Sequence, residues 1–168
     1  MGEVKVLDIS IKETSALLGK LGAKKVFDSI RTVKHLDYKD KRLSKHKEML
    51  KLTEEGTHKV TWEKGREEIK FNINNPKAFI MWMAKMGLRP ITSVKARRVS
   101  YEWKGIDFDM DVFPNIPPFL EIDRGKSKVS LKEILKKLNL ENNEVLEIST
   151  PDIYKKYHKD YFSLFKIK

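Results

Sequence analysis

Ile106-Asp107-Phe108-Asp109-Met110-Asp111-Val112 alternates apolar and acidic residues without a break, and Phe119-Leu120-Glu121-Ile122-Asp123 repeats the alternation after a short proline-rich connection. In an extended strand, side chains i and i+2 share a face. Asp107, Asp109 and Asp111 therefore line one face against Ile106, Phe108, Met110 and Val112, and Glu121 and Asp123 line one face against Leu120 and Ile122. Two strands joined this closely are expected to pair antiparallel and to set carboxylate against carboxylate. Like charges directly across a ladder are destabilising, so something should neutralise them.

The same alternation extends outward along the chain. Glu3 and Lys5 point together with Val4 and Val6 opposite; Glu68, Lys70 and Asn72 point together with Ile69, Phe71 and Ile73 opposite; Lys95 and Arg97 form a further pair. Strands are read at 3–11, 24–33, 47–53, 59–63, 67–73, 90–103, 106–113 and 119–123. Glu54-Glu55-Gly56 and Lys104-Gly105 supply hairpin turns between neighbouring pairs. Asp37 to His46 is a charged loop or short helix at a sheet edge or barrel mouth.

Helical periodicity interrupts the strands. Leu17, Leu18 and Leu21 share a face of a helix over 12–21 that Gly22 stops, and Pro76 opens a second helix that carries Met81, Trp82, Met83 and Met86 to Gly87. Its methionines read as core packing. Ser130-Leu131-Lys132-Glu133 is a capping box ahead of Ile134, Leu135 and Leu138, and Thr150-Pro151-Asp152 caps a last short helix through Tyr157. No linker rich in Gly, Ser or Pro divides the chain. The expectation is one domain over 1–168, a strand core at about 3–123 and a helical tail at about 127–168.

Length and composition bound the alternatives. The chain has 168 residues, 40% of them apolar and 35% charged, which suits a compact core and excludes a disordered tail. The absence of cysteine excludes disulfides, thiolate metal sites and cysteine nucleophiles, and fits a reducing cytoplasm. Met1-Gly2-Glu3-Val4-Lys5 leads into no apolar run, and nowhere do about 18 apolar residues come together, so neither a signal peptide nor a membrane span is expected. The net charge of +11 rests on 28 Lys and only 7 Arg dispersed along the chain. Dispersed Lys reads as solvated surface and argues against a nucleic-acid groove. Tyr101 and Trp103 beside Arg97 and Arg98 could stack on bases, but in an alternating strand they read as packing or rim residues.

A sheet with one wet side is the ordinary explanation of such alternation. Two consecutive strands whose polar faces are wholly acidic point instead to a bound cation. A hard divalent ion, Mg²⁺ or Mn²⁺, suits an all-oxygen site and is completed by waters and phosphate oxygens. Lys5, Lys51, Lys95 and Arg97 on other strands would then face the same space and hold a polyanion, and closing the sheet puts both sets inside one lumen. The four histidines, His35, His46, His58 and His158, lack metal spacing and read as exposed or incidental. No glycine-rich phosphate loop occurs.

The runs Lys95-Ala96-Arg97, Ile106 to Val112, and Ile116-Pro117-Pro118-Phe119-Leu120-Glu121-Ile122-Asp123 resemble the second half of a CYTH domain, the triphosphate tunnel metalloenzyme superfamily. Glu3-Val4-Lys5, Asp37, Leu50-Lys51-Leu52-Thr53, Val60-Thr61-Trp62 and Arg66-Glu67-Glu68-Ile69 extend the resemblance over residues 3 to about 123. The branch it is most similar to holds class IV adenylate cyclase-like proteins with thiamine-triphosphatase and tripolyphosphatase relatives.

The resemblance implies an α+β fold: an eight-stranded antiparallel closed β-barrel, or tunnel, with flanking helices and a helical C-terminal tail. It implies Mg²⁺ or Mn²⁺ on Glu3, Asp111, Glu121 and Asp123, and substrate phosphates on Lys5, Lys51, Lys64, Lys95 and Arg97, with Lys5, Lys51 and Glu68 in catalytic roles. The implied substrates are ATP, thiamine triphosphate or tripolyphosphate, the implied activity adenylate cyclase or triphosphate phosphohydrolase, and barrels of the family often pair as homodimers. Three positions depart from the family's Glu-x-Glu-x-Lys and Arg-x-Arg patterns. The first Glu falls on Met1, the second Arg becomes Thr53, and the Lys after the Val60-Thr61-Trp62 triplet is Glu63 or, with a slip, Lys64. A scaffold that binds phosphorylated ligands without turnover is the alternative these departures favour.

Overall fold

The computed structural model describes residues 3–65 and 67–167. Met1 and Arg66, which entered the sequence comparison above, lie outside the described residues. In chain order the elements are β1 (Val4–Val6), α1 (Ile11–Lys20), β2 (Lys24–Tyr38), α2 (Arg42–Lys45), β3 (Glu48–Glu54), β4 (His58–Lys64), β5 (Glu67–Ile73), α3 (Pro76–Lys85), β6 (Leu88–Trp103), β7 (Ile106–Val112), β8 (Phe119–Asp123), α4 (Leu131–Lys137), β9 (Val145–Leu146), α5 (Thr150–Lys156) and α6 (Tyr161–Leu164). The strand order is β5-β4-β3-β2-β6-β7-β8-β1-β9, with antiparallel pairing from β5 through β2 and from β6 through β9. The fold is thus α+β, an antiparallel sheet with flanking helices. It departs from the expected eight-stranded closed barrel in two ways: Val145–Leu146 adds a ninth strand against β1, and no ladder among the described residues joins β5 to β9.

The chain divides into two compact units, Met1–Ser29 with Ala96–Tyr157, and Ile30–Lys95 with His158–Lys168. In the first, the alternation of β7 and β8 does what period 2 dictates. Ile106, Phe108, Met110, Leu120 and Ile122 are completely buried, and Val99 and Tyr101 of β6, Val4 and Val6 of β1, Leu18 of α1, Ile134 of α4 and Leu138 at its C-terminal cap join them in one core. Lys104 and Gly105 both take positive φ, 51° and 71°, the geometry a two-residue hairpin needs to match strand twist. That turn sets Trp103 opposite Ile106 and fixes the register of the whole hairpin.

In the second unit, Leu36, Leu52, Val60 and Leu88 form a smaller core under Met83 of α3, with Phe79 and Ile80 packed against it. The reading of this helix's apolar face as core applies to those residues, whereas Met81, Trp82 and Met86 are exposed. β2 runs on past the expected end at residue 33 to Tyr38, and of the stretch from Asp37 to His46, read as a loop or short helix, Arg42–Lys45 is helical; Asp37 secures it. Its carboxylate accepts from the amides of Tyr38 (2.7 Å), Leu43 (3.1 Å) and Ser44 (3.1 Å) and from Ser44 Oγ (2.6 Å).

The tail differs from expectation at two points. Ser149, one residue before the expected cap, caps α5, because its hydroxyl accepts from the Asp152 amide. Residues beyond Tyr157 form α6, and Phe165 and Ile167 hydrogen-bond through their backbones to Ser93 and Ile91 of β6.

Candidate functional site

The first unit gathers its buried charge around one cross-strand row. Ser100 of β6 stands opposite Asp109 of β7, Asp109 opposite Glu121 of β8, and Glu121 opposite Lys5 of β1; Arg98 stands opposite Asp111. Carboxylates do oppose carboxylates, at Asp109 with Glu121 and at Asp107 with Asp123. Arg98 answers the first of these pairings from within the protein. Its guanidinium grips Asp111 in a two-pronged pair, Nε to Oδ1 at 2.8 Å and Nη2 to Oδ2 at 2.6 Å, reaches Glu121 Oε2 at 2.5 Å and also binds Asp109. The fixed fork of an arginine permits this; a lysine would offer one point charge.

Lys5 closes the other end. Its ammonium donates to Glu3 Oε1 at 2.5 Å and lies 3.2 Å from Glu121 Oε1. Asp111 is completely buried, and Lys5, Ser100 and Glu121 are nearly so. Burial opposes the charge on Arg98, but Asp111 and Glu121 outweigh it and hold the guanidinium well above its usual range. The same contest on Lys5 is won by Glu121 and Glu3, which keep the ammonium charged. Glu3 shows the opposite balance: burial, then the neighbouring Glu121, push its carboxyl up in spite of Lys5. Two cations, Lys5 and Arg98, thus serve four carboxylates, Glu3, Asp109, Asp111 and Glu121, and the row is short of positive charge.

Asp107 continues the acidic face. Its carboxyl is raised by burial and by Asp109, Asp123 and Glu102. Asp123, assigned to a metal by the resemblance, is exposed and accepts from the Gly125 amide at 2.9 Å. Arg97 points the other way from Arg98, onto the exposed carboxylate of Asp28 at 2.9 and 3.1 Å. Hydrogen bonds from Arg97 and Lys25 draw that carboxyl down to about 2.

In the second unit, Lys51 stands opposite both His35 of β2 and Thr61 of β4, and its ammonium is taken by Glu63. The polar face of this sheet also carries buried Thr53 and Thr61. Arg31 faces Glu55 at 3.8 Å. Glu68 and Lys70 pair with each other at 2.8 Å, Lys64 lies on Glu48 at 3.0 Å, and Lys95 is exposed.

His35 is not an exposed or incidental histidine. It is 4% exposed, its Nδ1 lies 3.0 Å from Thr92 Oγ1, and its ring packs edge-on against Tyr161 and Phe162. Burial, with Lys51 nearby, depresses its basicity to about 3. Tyr101 and Trp103 pack in the first unit's core, as their alternation suggested.

Of the predicted residues, then, Glu3, Lys5, Asp111 and Glu121 are tied into one network, and Lys51 stands beside Glu63 in the other unit. Arg98 is the member of this network that reading Lys95 and Arg97 as the paired cations passed over. The turn carried the signal: counting back from Trp103 opposite Ile106 places Arg98, not Arg97, opposite Asp111. Among the described residues no group of three or more His, Asp or Glu is arranged to hold a metal ion. Glu3 and Glu121 share the Lys5 ammonium, and Glu121 also accepts from Arg98. Such a pair suits Mg²⁺, which keeps several waters and takes one or two carboxylates together with substrate phosphates. No helix among the described residues is long and apolar enough to cross a membrane.

No family model matches the chain, and no curated protein matches it. Solved structures do. A candidate adenylate cyclase from Vibrio parahaemolyticus is 13% identical with a TM-score of 0.78, covering 92% of this chain and 97% of the other. The PH1819 protein of Pyrococcus horikoshii is 17% identical with a TM-score of 0.70, covering 94% and 98%. A candidate adenylyl cyclase from Hippeastrum, described as having a dominant triphosphatase activity, is 12% identical with a TM-score of 0.66, covering 92% and 95%. The chain therefore has the fold of these proteins over nearly its whole length, in agreement with the resemblance to CYTH domains.

Proposed function

We propose that the protein binds and turns over a triphosphate, as a triphosphate phosphohydrolase or an adenylate cyclase-like enzyme, with Mg²⁺ or Mn²⁺ as the metal. The observation that carries this reading is the Arg98–Glu121–Lys5 row, in which buried Lys5 and partly buried Arg98 are held in place by four carboxylates. Fixed cations of this kind are prepared for an anion before it arrives, so binding requires little reorganisation. A divalent metal, when bound, would supply the missing positive charge and polarise phosphate oxygens. Glu3 and Glu121 are the residues that would hold it. Lys5 then donates to phosphate oxygen in place of carboxylate oxygen. Arg98 stays locked on Asp111 and keeps Glu121 oriented. The resemblance also gives Lys51 and Glu68 catalytic roles, with Lys51 on substrate phosphate. The closed tunnel implied by the resemblance belongs to this reading, as do ATP, thiamine triphosphate and tripolyphosphate as substrates.

One observation favours the second reading, a scaffold that binds without turnover. Glu63 occupies Lys51 at a position where the related pattern has a cation, and Thr53 replaces an arginine. The two readings separate on incubation with tripolyphosphate, ATP and thiamine triphosphate plus Mg²⁺ or Mn²⁺, with assay of phosphate, pyrophosphate and cyclic AMP. Release of any of these, lost in Glu121→Ala, supports the enzyme. Thermal stabilisation by triphosphate without product supports the scaffold, and neither effect with any of the three substrates rejects both.

A further inference from the structure

The second unit's sheet is approached from both sides. Leu36, Leu52 and Val60 lie under α3, while His35, Lys51 and Thr61, which are direct cross-strand partners, stand on the opposite face. Residues 158–167 reach His35 from that side. Tyr161, itself almost wholly buried, and Phe162 set their rings edge-on to the His35 ring at 5.1 and 5.7 Å, and Phe165 packs on Tyr161 at 5.1 Å. The backbone ties of this segment to β6 are few: an isolated bridge between Thr92 and Lys166, with the Ser93 amide donating to Phe165 and the Ile167 amide to Ile91. Its helix, α6, has only four residues and cannot persist without the packing.

Closure over His35 carries its own opposition. Nδ1 lies 3.0 Å from Thr92 Oγ1 and 3.4 Å from the Tyr161 hydroxyl, but Nε2 is buried with no hydrogen-bond partner among the described residues. An unpaired buried polar atom disfavours the closed state and regains water when the segment lifts. The surroundings also refuse a proton. Lys51 faces His35 from β3 with its ammonium on Glu63; on β2 itself, Arg31 lies beside Glu55 and Asp37 is spent on amides of Leu43 and Ser44. Burial, then Lys51, hold the ring's basicity down to about 3. Of the segment's own charges, Lys159, Lys166 and His158 are exposed, and Asp160 caps α6. The Ser163 hydroxyl and the amides of Ser163 and Phe162 keep the Asp160 carboxyl below its ordinary 3.8, so the cap keeps its charge at pH 5.

We propose that residues 158–167 form a strap that acid releases from the second unit, with His35 as its latch. Opening uncovers His35 and Thr92 beside Lys51. It also returns the ring to its ordinary range, so the open-to-closed ratio should rise about tenfold for each pH unit between about 6 and about 3. Amide hydrogen exchange at pH 7.5, 6.5, 5.5 and 4.5, with each rate divided by that of an unstructured chain at the same pH, reads the opening directly. The amides of Ser93, Phe165 and Ile167 should be less protected than those of β3 and β4 at every pH, and their protection should fall about tenfold from pH 5.5 to 4.5. His35→Gln should abolish that fall, whereas His158→Gln should keep it. Should His35→Gln fail to fold, the native profile still decides. Glu121→Ala, in the other unit, should leave the fall unchanged, so this inference stands or fails apart from the triphosphate reading. Strap protection equal to that of β3 and β4, protection that does not change with pH, or an equal fall in His35→Gln would overturn the proposal.

Discussion

Lys5 of β1 and Glu121 of β8 are direct cross-strand partners, and the ammonium that lies 3.2 Å from Glu121 also holds Glu3 at 2.5 Å. Burial and then the neighbouring Glu121 push the Glu3 carboxyl up, and a further cation beside the two carboxylates would oppose that shift. If a divalent metal is that cation, Mg²⁺ or Mn²⁺ should raise the melting temperature at neutral pH, chelation should reverse the rise, and Glu121→Gln should abolish it. Lys5→Met should melt lower without metal, because buried Glu121 then keeps only Arg98 as its counter-charge, a loss of about 1–3 kcal/mol. Its metal-dependent rise should be larger than that of the native protein. Equal rises in the two proteins would remove Glu3 and Glu121 as the metal ligands.

Arg98 and Arg97 are chain neighbours with opposite environments. Arg98 neutralises completely buried Asp111, whereas Arg97 meets Asp28 in solvent. Removing one member of a buried ion group leaves an uncompensated charge, so Arg98→Ala should cost about 3–5 kcal/mol. Even Arg98→Lys should cost about 2 kcal/mol, through loss of the two-pronged grip on Asp111. Arg97→Ala should leave the urea midpoint nearly unchanged. Comparable losses at the two positions would contradict the structure's assignment of faces.

The contrast between these arginines marks how far the sequence could be read. Period-2 alternation in β7 and β8 identified the buried apolar face residue by residue, and it put Asp107, Asp109, Asp111, Glu121 and Asp123 on the polar side. The facing of carboxylates was legible for the same reason. Arg98 was not, because Arg97 and Arg98 are adjacent and only the register set by Lys104-Gly105 says which one turns inward. Burial of His35 was equally hidden, since its cover comes from Tyr161 and Phe162, more than 120 residues later, by contacts that no local pattern encodes. The ninth strand is two residues long, too short for any periodicity to show.

Glu63 bears on turnover. It accepts the Lys51 ammonium, which in the proposed function is a phosphate ligand. Glu63→Lys reverses the charge and frees Lys51. Gaining one charge-assisted hydrogen bond is worth about 1.4 kcal/mol, or tenfold in affinity, so tripolyphosphate should bind about tenfold more tightly by calorimetry. A scaffold that lacks turnover because of this residue should also begin to release phosphate. Weaker binding by Glu63→Lys would show that the second unit's polar face does not meet the ligand.

His35 gives the fold a defined sensitivity to acid. It is buried and neutral, with a folded value of about 3 against an ordinary 6.5, so below the ordinary value the unfolded chain binds a proton that the folded protein refuses. Stability contributed by neutral His35 is therefore intact above about pH 7, and is lost at about 1.4 kcal/mol per pH unit as pH falls from about 6 toward about 3. The native protein should show this slope in urea midpoints measured at pH 7, 5 and 4. His35→Gln, which keeps a polar atom for Thr92 but cannot take the proton, should be less stable at pH 7 and lose less stability on acidification. Carboxylates such as Asp28, which also favour folding less as pH falls, act equally in both proteins and cancel in the comparison. Parallel pH profiles for the native protein and His35→Gln would mean that His35 is hydrated or charged in solution, and that the packing of Tyr161 and Phe162 against it does not exclude water.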